Sequence, residues 1–384
     1  MQKNNYPLTG IIVLDMTNVL SGPFATQILA DMGAEVIKIE KPDGDDSRSF
    51  GPFVNGKSSY FISLNRGKKS IVLDLKSKKE KGYFNKLLSK ADILIDNFKP
   101  GTLEKYGFSK TFLKKKYPRL IQTKISGFGE TGSMKKFPAY DMIVQAMGGI
   151  MSITGKNKNQ FSRVGSSIGD IVAGLYAVIG ILIQLINRNK TNKGSRLDLS
   201  MLDCQVAILE NAISRFSVEK KIPEPLGTDH PSISPFGAFK TSDSLIVIAV
   251  GNDKMFQNFC NVVGDSNLAF NEDYKTNFLR NKNLNSLRKK IEFHLKNKST
   301  QFWLKKFKKN NIPSSKINNI KDLFESKQIK SRGMIFNYKD ESIKKLMISG
   351  NPLKFSFFKN KLEDMKSPEL NEDRKYILKF FNLI

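Results

Sequence analysis

The sequence predicts an α/β fold with a second, smaller domain, and three observations lead there. Up to Ile125 the chain alternates short apolar strand-like runs with helical periods, the signature of βα units. An uncharged apolar stretch, Ile171 to Ile186, then reads as a buried helix. At Gly227 the texture changes to turn residues and a hairpin, which opens the smaller domain.

In order, Ile11-Ile12-Val13-Leu14 reads as a fully buried strand. Ser21-Gly22-Pro23 marks a turn and a helix start, with Pro23 at the first helical position. Phe24, Ile28, Leu29 and Met32 carry the helical period, and Gly33 ends it. Val36 to Glu40 is the next strand. Ile71 to Leu75, a Lys-rich helix around Glu80 to Leu88, and Ile93 to Ile95 repeat the unit, and Leu120 to Ile125 adds a strand. Tyr140 to Met147 is a short helix closed by Gly148-Gly149. The long helix runs from Asp170 to Asn187. Its charge-free part is shorter than the ~20 residues that cross a bilayer, and it contains Gln184, so it reads as a core helix. Leu197-Asp198-Leu199 is strand-like and Met201 to Phe216 helical. Gly237 to Lys240 and Leu245 to Val250 form the hairpin, and helices follow at Lys254–Val263, Leu284–Lys296 and Gln301–Lys309. The tail holds short strands and a last helix, Asp373 to Phe381. These textures divide the chain into 1–200 (large domain), 201–226 (linking helix), 227–325 (small domain) and 326–384 (return to the large domain).

With 384 residues, 40% hydrophobic and 26% charged, the chain has a globular composition and length for more than one core. Two cysteines, Cys204 and Cys260, cannot build a disulfide scaffold, and there is no CxxC or Cys/His cluster for zinc. They read as buried thiols in a reducing compartment, and the polar opening predicts no secretory signal, so a cytoplasmic location is expected. The net charge of +27 comes from 52 Lys and only 11 Arg, spread along the chain. A nucleic-acid reader usually clusters its basic residues, with Arg and aromatics among them. The densest runs, Lys114 to Lys116 and Lys305 to Lys309, read as wet helix faces, and no nucleic-acid or membrane partner is expected. The positive field would still gather anionic ligands.

Candidate chemistry is sparse. The turn Asn18 to Pro23 lies between a strand and a helix, where free N–H groups favour an anion, but it is neither GxGxxG nor GxxxxGK[ST]. No Ser–His–Asp arrangement is evident, and HExxH does not occur, so a metal is not suggested. Of the two histidines, His294 sits on an apolar helix face and His230 in a Pro-rich turn that could line a pocket. Asp141 follows a proline turn at the start of an otherwise apolar helix. It reads equally as an acid pairing with the helix dipole or as a carboxylate poised as a nucleophile. Gln145 lies one turn on along the same face, and Gly148 and Gly149 permit close ligand approach.

Taken in order, the motifs resemble the class III coenzyme A transferases, the CaiB/BaiF family, from about Leu8 to Leu383. The anchors are Val13-Leu14-Asp15, Gly22-Pro23, Ala30 to Glu40, Leu64 to Ser70, Ala91-Asp92 and Asn97 to Gly101. Tyr140-Asp141 with Gln145-Ala146 and Gly148-Gly149, Gly169-Asp170, Ile312-Pro313, Arg332-Gly333-Met334 and Gly350 to Leu353 complete the set.

The resemblance implies a doubly wound Rossmann-like large domain with a smaller α+β domain inserted. Each subunit would be an open ring, interlocked with another as a homodimer. It implies CoA as co-substrate, no permanently bound cofactor, and transfer of CoA from an acyl-CoA, succinyl-CoA among the candidates, to a carboxylic acid. The family's nucleophile falls, on this matching, on Asp141, which would form a mixed anhydride and then an aspartyl-CoA thioester. CoA would meet Asn18, Val19, Ser21, Lys41, Leu64, Arg66, Lys68, Asn97, Phe98 and Lys105. Lys at 41 and 105 stands where an arginine is common, which removes the bidentate fork. Tyr140, Gln145, Gly148, Gly149 and His230 would line the substrate pocket. Racemases of 2-methylacyl-CoA belong to the same family. They carry a His where this chain has Tyr140, and a phenol is a poor proton shuttle, while their Asp matches Asp170. Racemase is therefore the alternative within enzymes, and a basic nucleic-acid-binding protein the alternative outside them.

Overall fold

The computed structural model describes residues 6–383 apart from 342 and 344. The chain divides into two compact units. The first runs to Met151 and adds Arg163–Glu219 and the chain from Lys327 onward. The second is Ser152–Ser162 with Lys220–Ser326. This redraws the boundaries expected from sequence. The stretch after residue 200 is not a linking helix, because its residues up to Glu219 pack with the first unit. The hairpin Gly155–Asn157 with Gln160–Phe161 belongs to the second.

The first unit is built on a six-stranded parallel sheet: β1 Ile12–Asp15, β2 Glu35–Glu40, β3 Lys69–Val72, β4 Ile93–Asp96, β5 Ile121–Ser126 and β6 Arg196–Ser200. Their spatial order is β6-β5-β4-β1-β2-β3, the doubly wound arrangement, in which the order reverses between β1 and β4. β1 and β4 are near-continuous Val/Ile/Leu runs because both of their faces are buried. Successive residues alternate between the two cores. Val13, Ile93 and Ile121 pack with Ala25, Leu29, Ala177 and Ile181. Leu14, Ile37, Ile71 and Leu94 pack with Phe84, Leu87, Leu88 and Ile377.

The helices used below are α1 Ser21–Asp31, α2 Ser59–Asn65, α3 Lys78–Lys90, α4 Asp141–Met147, α5 Ile168–Thr191 and α6 Met201–Ala207. Helix α1 starts two residues before Pro23, whose missing N–H is an orphan of the first turn in either case. The helix expected over 201–216 is interrupted between Ala207 and Ala212, where Glu210 takes a φ of 54°. The tail returns to the sheet as expected. Asn371 Oδ1 and Asp373 Oδ2 accept the N–H groups of Val72 and Ser70 at 2.9 Å, covering the β3 edge.

Helix α5 is the core helix expected, but on one face only. Val172, Ala173, Ala177, Val178, Ile181 and Leu185 enter the core. Leu175, Ile179, Ile183 and Ile186 are exposed, so the helix carries two apolar faces and only one is packed. Its length and composition would also suffice to cross a membrane.

The second unit has an antiparallel sheet of Phe236–Lys240, Leu245–Ala249 and Ser314–Lys316. Helices Asp253–Val263, Leu284–Leu295 and Thr300–Lys309 close its own core around Phe239, Phe259, Ile291 and Trp303.

Candidate active site

The crevice of a doubly wound sheet lies outside the carboxyl ends of its strands, where the strand order reverses. Here that point falls between β1 and β4, and the residues following those strands meet there. The Asn97 side chain accepts from the Asn18 N–H at 2.9 Å and donates to the Asn18 carbonyl at 2.8 Å. Val19, next in the turn, is held at a φ of 67° with its N–H on Asp45 Oδ1 at 3.1 Å. A left-handed conformation costs a β-branched residue about 1–3 kcal/mol, and such strain gathers at functional sites. Ser21 opens α1 at the same place, with Asn97 Nδ2 3.5 Å from its Oγ.

On the α4 side, Asp141 opens the helix and is buried. Its Oδ1 accepts the Gly169 N–H at 2.8 Å, and its Oδ2 accepts Gln145 Nε2 at 2.8 Å. Asp170 stands in the first turn of α5 and is half-buried. Burial, reinforced by the Asp141 charge and opposed by a Ser21 hydrogen bond, pushes the Asp170 carboxyl up to about 7. Tyr60 on α2 feels both carboxylates. Burial and the charges of Asp170, Asp45 and Asp141 push its phenol up to about 12, so it stays a proton donor. Tyr140 is the N-cap of α4 and is 80% exposed.

The remaining expected contacts divide. Lys41 and Lys105 are exposed, Lys41 pairing with Asp46 at 2.6 Å. Phe98 is half-buried behind Asp96, whose Oδ1 accepts its N–H at 3.1 Å. Leu64, Arg66 and Lys68 are buried, and the two cations have internal partners. Arg66 grips Asp31 with Nε and Nη2 at 3.0 and 2.7 Å. The Lys68 ammonium is surrounded by Asp15 Oδ2, Asn65 Oδ1 and the Pro23 carbonyl at 3.0, 2.8 and 3.1 Å. An ammonium has three protons, so none remains for a phosphate. Gly148 is a glycine because a Cβ there would stand 2.5 Å from Gln205 Cβ. Gly149 has a φ of 86°. His230 lies in the second unit, where its Nδ1 accepts the Ser232 N–H at 3.0 Å.

The profile of CoA-transferase family III matches residues 8–374. The chain belongs to that family. Consistently, this family III chain is 38% identical over 377 residues to the acetyl-CoA:oxalate CoA-transferase of Acetobacter aceti, covering 98% of this chain and 96% of the relative. It is 36% identical over 378 residues to the succinyl-CoA:glutarate CoA-transferase of Homo sapiens, covering 98% and 86%. A solved CaiB/BaiF family protein from Brucella suis superposes with a TM-score of 0.87 at 36% identity, covering 98% of this chain and all 100% of that one. The protein is thus an enzyme that transfers CoA between an acyl-CoA and a carboxylic acid.

Two features of this transferase escaped sequence reasoning. Tyr60 stands in no recognisable motif, and only the folding of α2 toward the carboxylates reveals it. The buried ion network of Asp15, Lys38, Asp45 and Lys68 left a signal that could have been read. Lys38 interrupts an otherwise apolar strand, and its ammonium meets Asp45 Oδ2 at 2.7 Å and the Thr17 carbonyl at 2.8 Å.

Proposed function

We propose that this transferase moves CoA from succinyl-CoA to a dicarboxylic acid through a covalent intermediate on Asp170. The observation that carries the assignment is the contrast between the two carboxylates. Both oxygens of Asp141 already accept N–H groups, and burial restricts approach to it. Asp170 is more open, and among the described residues a hydroxyl is what stabilises its anion, which makes that anion the more basic and the better nucleophile. The sequence match assigned the role to Asp141, and we move it one residue past Gly169 for this reason. The preference for a dicarboxylate rests on relatives named for oxalate, glutarate and mesaconate, several of them with succinyl-CoA as donor.

The ionised Asp170 attacks the thioester carbonyl, and the C–S bond breaks to give a mixed anhydride and CoA thiolate. The thiolate then attacks the aspartyl carbonyl, which leaves an aspartyl-CoA thioester and the free donor carboxylate. The acceptor carboxylate repeats both steps in reverse and departs as the new thioester. Asn18, Val19, Ser21, Asn97 and Phe98 would receive CoA at the switch point, with Lys41 and Lys105 as point charges for its phosphates. A second copy of the chain would cover the exposed face of α5, and a homodimer in sedimentation would support this.

The test is intact-protein mass after mixing with succinyl-CoA, followed by peptide mapping and a panel of dicarboxylic acids. A CoA adduct on Asp170, lost in Asp170→Ala, together with a new thioester, supports the proposal. An adduct on Asp141 restores the sequence assignment. Deuterium exchange at the α-carbon of a branched acyl-CoA, without any adduct, replaces transfer by racemisation.

A further inference from the structure

Asp141 does more than neighbour Asp170. Its Oδ1 holds the N–H of Gly169, the residue immediately before Asp170, at 2.8 Å. Its Oδ2 takes Gln145 Nε2 at 2.8 Å, and Gln145 Oε1 accepts the Val164 N–H at 2.9 Å. Gln145 is fully buried, and its amide is fixed in one sense: the NH2 must face the carboxylate and the oxygen must face the N–H. One carboxylate and one amide on α4 therefore hold two backbone N–H groups of the segment that leads into α5. The fit is close. A Cβ on Gly169 would stand 2.7 Å from Val144 Cγ2 and 3.0 Å from Asp141 Oδ1.

We propose that Asp141 and Gln145 form a positioning clamp that fixes the first turn of α5 and so aims Asp170, while the Asp141 charge keeps the neighbouring carboxyl reactive. The inference rests on Asp170 being the nucleophile. The groups acting on Asp170 have defined signs. Asp141 from α4 disfavours its ionisation, and the Ser21 hydroxyl from α1 favours it. From α2, Tyr60 remains a neutral phenol. On the other elements packed against α5, Lys124 of β5 is engaged by Asp96, Arg196 of β6 by Glu130, and Asp203 of α6 is exposed.

The experiment follows the rate of CoA-adduct formation from succinyl-CoA against pH. In the wild type the rate should rise through a midpoint near 7, as the carboxyl ionises. Asp141→Asn keeps an acceptor for Gly169 but turns an NH2 against Gln145 and removes the charge. It should slow adduct formation about 100-fold and lower the midpoint by about one pH unit. Asp141→Asn with Gln145→Glu restores a donor–acceptor match at both N–H groups and should recover at least tenfold of the lost rate. Ser21→Ala should move the midpoint upward. Asp141→Asn with an unmoved midpoint overturns the role given to the Asp141 charge, and Asp141→Asn at the wild-type rate overturns the clamp. So does a double variant that folds but recovers nothing. A wild-type adduct that maps away from Asp170 refutes instead the assignment of the nucleophile.

Discussion

Lys68→Met separates two roles for one residue. The sequence match puts Lys68 among the CoA contacts, whereas the fold puts its ammonium among three acceptors beneath α1. Lys68 and Asp15 are both fully buried. Removing one partner of a buried pair costs about 3–5 kcal/mol, because the other charge is left without compensation. Asp15 retains the Thr17 and Thr26 hydroxyls at 2.5 and 2.6 Å and the nearby Lys38, which places the loss at the low end, about 3 kcal/mol. Thermal unfolding should then drop by roughly 6 °C. The affinity for CoA, measured by calorimetry, should stay within about twofold, well under the 1.4 kcal/mol that makes a factor of ten. Adding Asp15→Asn should recover part of the stability, since no uncompensated charge remains. Acid should erase the difference between wild type and Lys68→Met. Burial alone would raise the Asp15 carboxyl, but Lys68 and Lys38 outweigh it and hold it below the ordinary carboxylate range. Its contribution is present above the unfolded value of about 4 and is lost as pH falls through the folded one. A Lys68→Met protein with unchanged unfolding temperature and CoA binding weakened more than tenfold would refute this reasoning.

Two further outcomes follow from packing. Gly169→Ala should cost about 1–3 kcal/mol through overpacking against Val144 and lower turnover at least tenfold by displacing Asp141. Gly82→Ala, on the exposed face of α3 where an added Cβ meets nothing within 4 Å, should instead stabilise by about 0.5–1 kcal/mol at unchanged turnover. Chemical denaturation and steady-state kinetics check both. Gln205 is fully buried, and neither of its amide atoms has a partner among the described residues. Gln205→Met should therefore raise stability by about 1–2 kcal/mol in the same denaturation assay, and no gain would mean that the amide is satisfied in solution.

The strands were legible because a parallel sheet buried on both faces favours continuous apolar runs, and Ile12 to Leu14 or Ile93 to Ile95 could be little else. The break at Glu210 was not, since 201–216 keeps an apolar content compatible with one helix while a single left-handed residue divides it. Nor could sequence show that α5 packs only one of its two apolar faces, because hydropathy counts residues without saying which neighbours exist to cover them. Arg66 and Lys68 show a related ambiguity. A cation beside a glycine suits a phosphate equally as it suits an internal carboxylate, and Asp31 and Asp15, the actual partners, lie more than thirty residues away in the chain.

The same limit governs the two aspartates. Asp141 and Asp170 each sit in the first turn of a helix after a short loop, so helix dipole and local sequence treat them alike. What separates them is the direction in which the other helix presents its donors. The N-terminus of α5 gives the Gly169 N–H to Asp141, and α4 gives Gln145, so Asp141 is saturated by the elements it joins. Among the described residues Asp170 receives no such backbone donor in return, and it meets burial and a like charge instead. A carboxylate already satisfied by N–H groups is a good anchor and a poor nucleophile, and a carboxylate short of donors is the reverse. On the proposed mechanism the pair divides the work of one site along that line: Asp141 would set the geometry, and Asp170 would retain the lone pair that reacts.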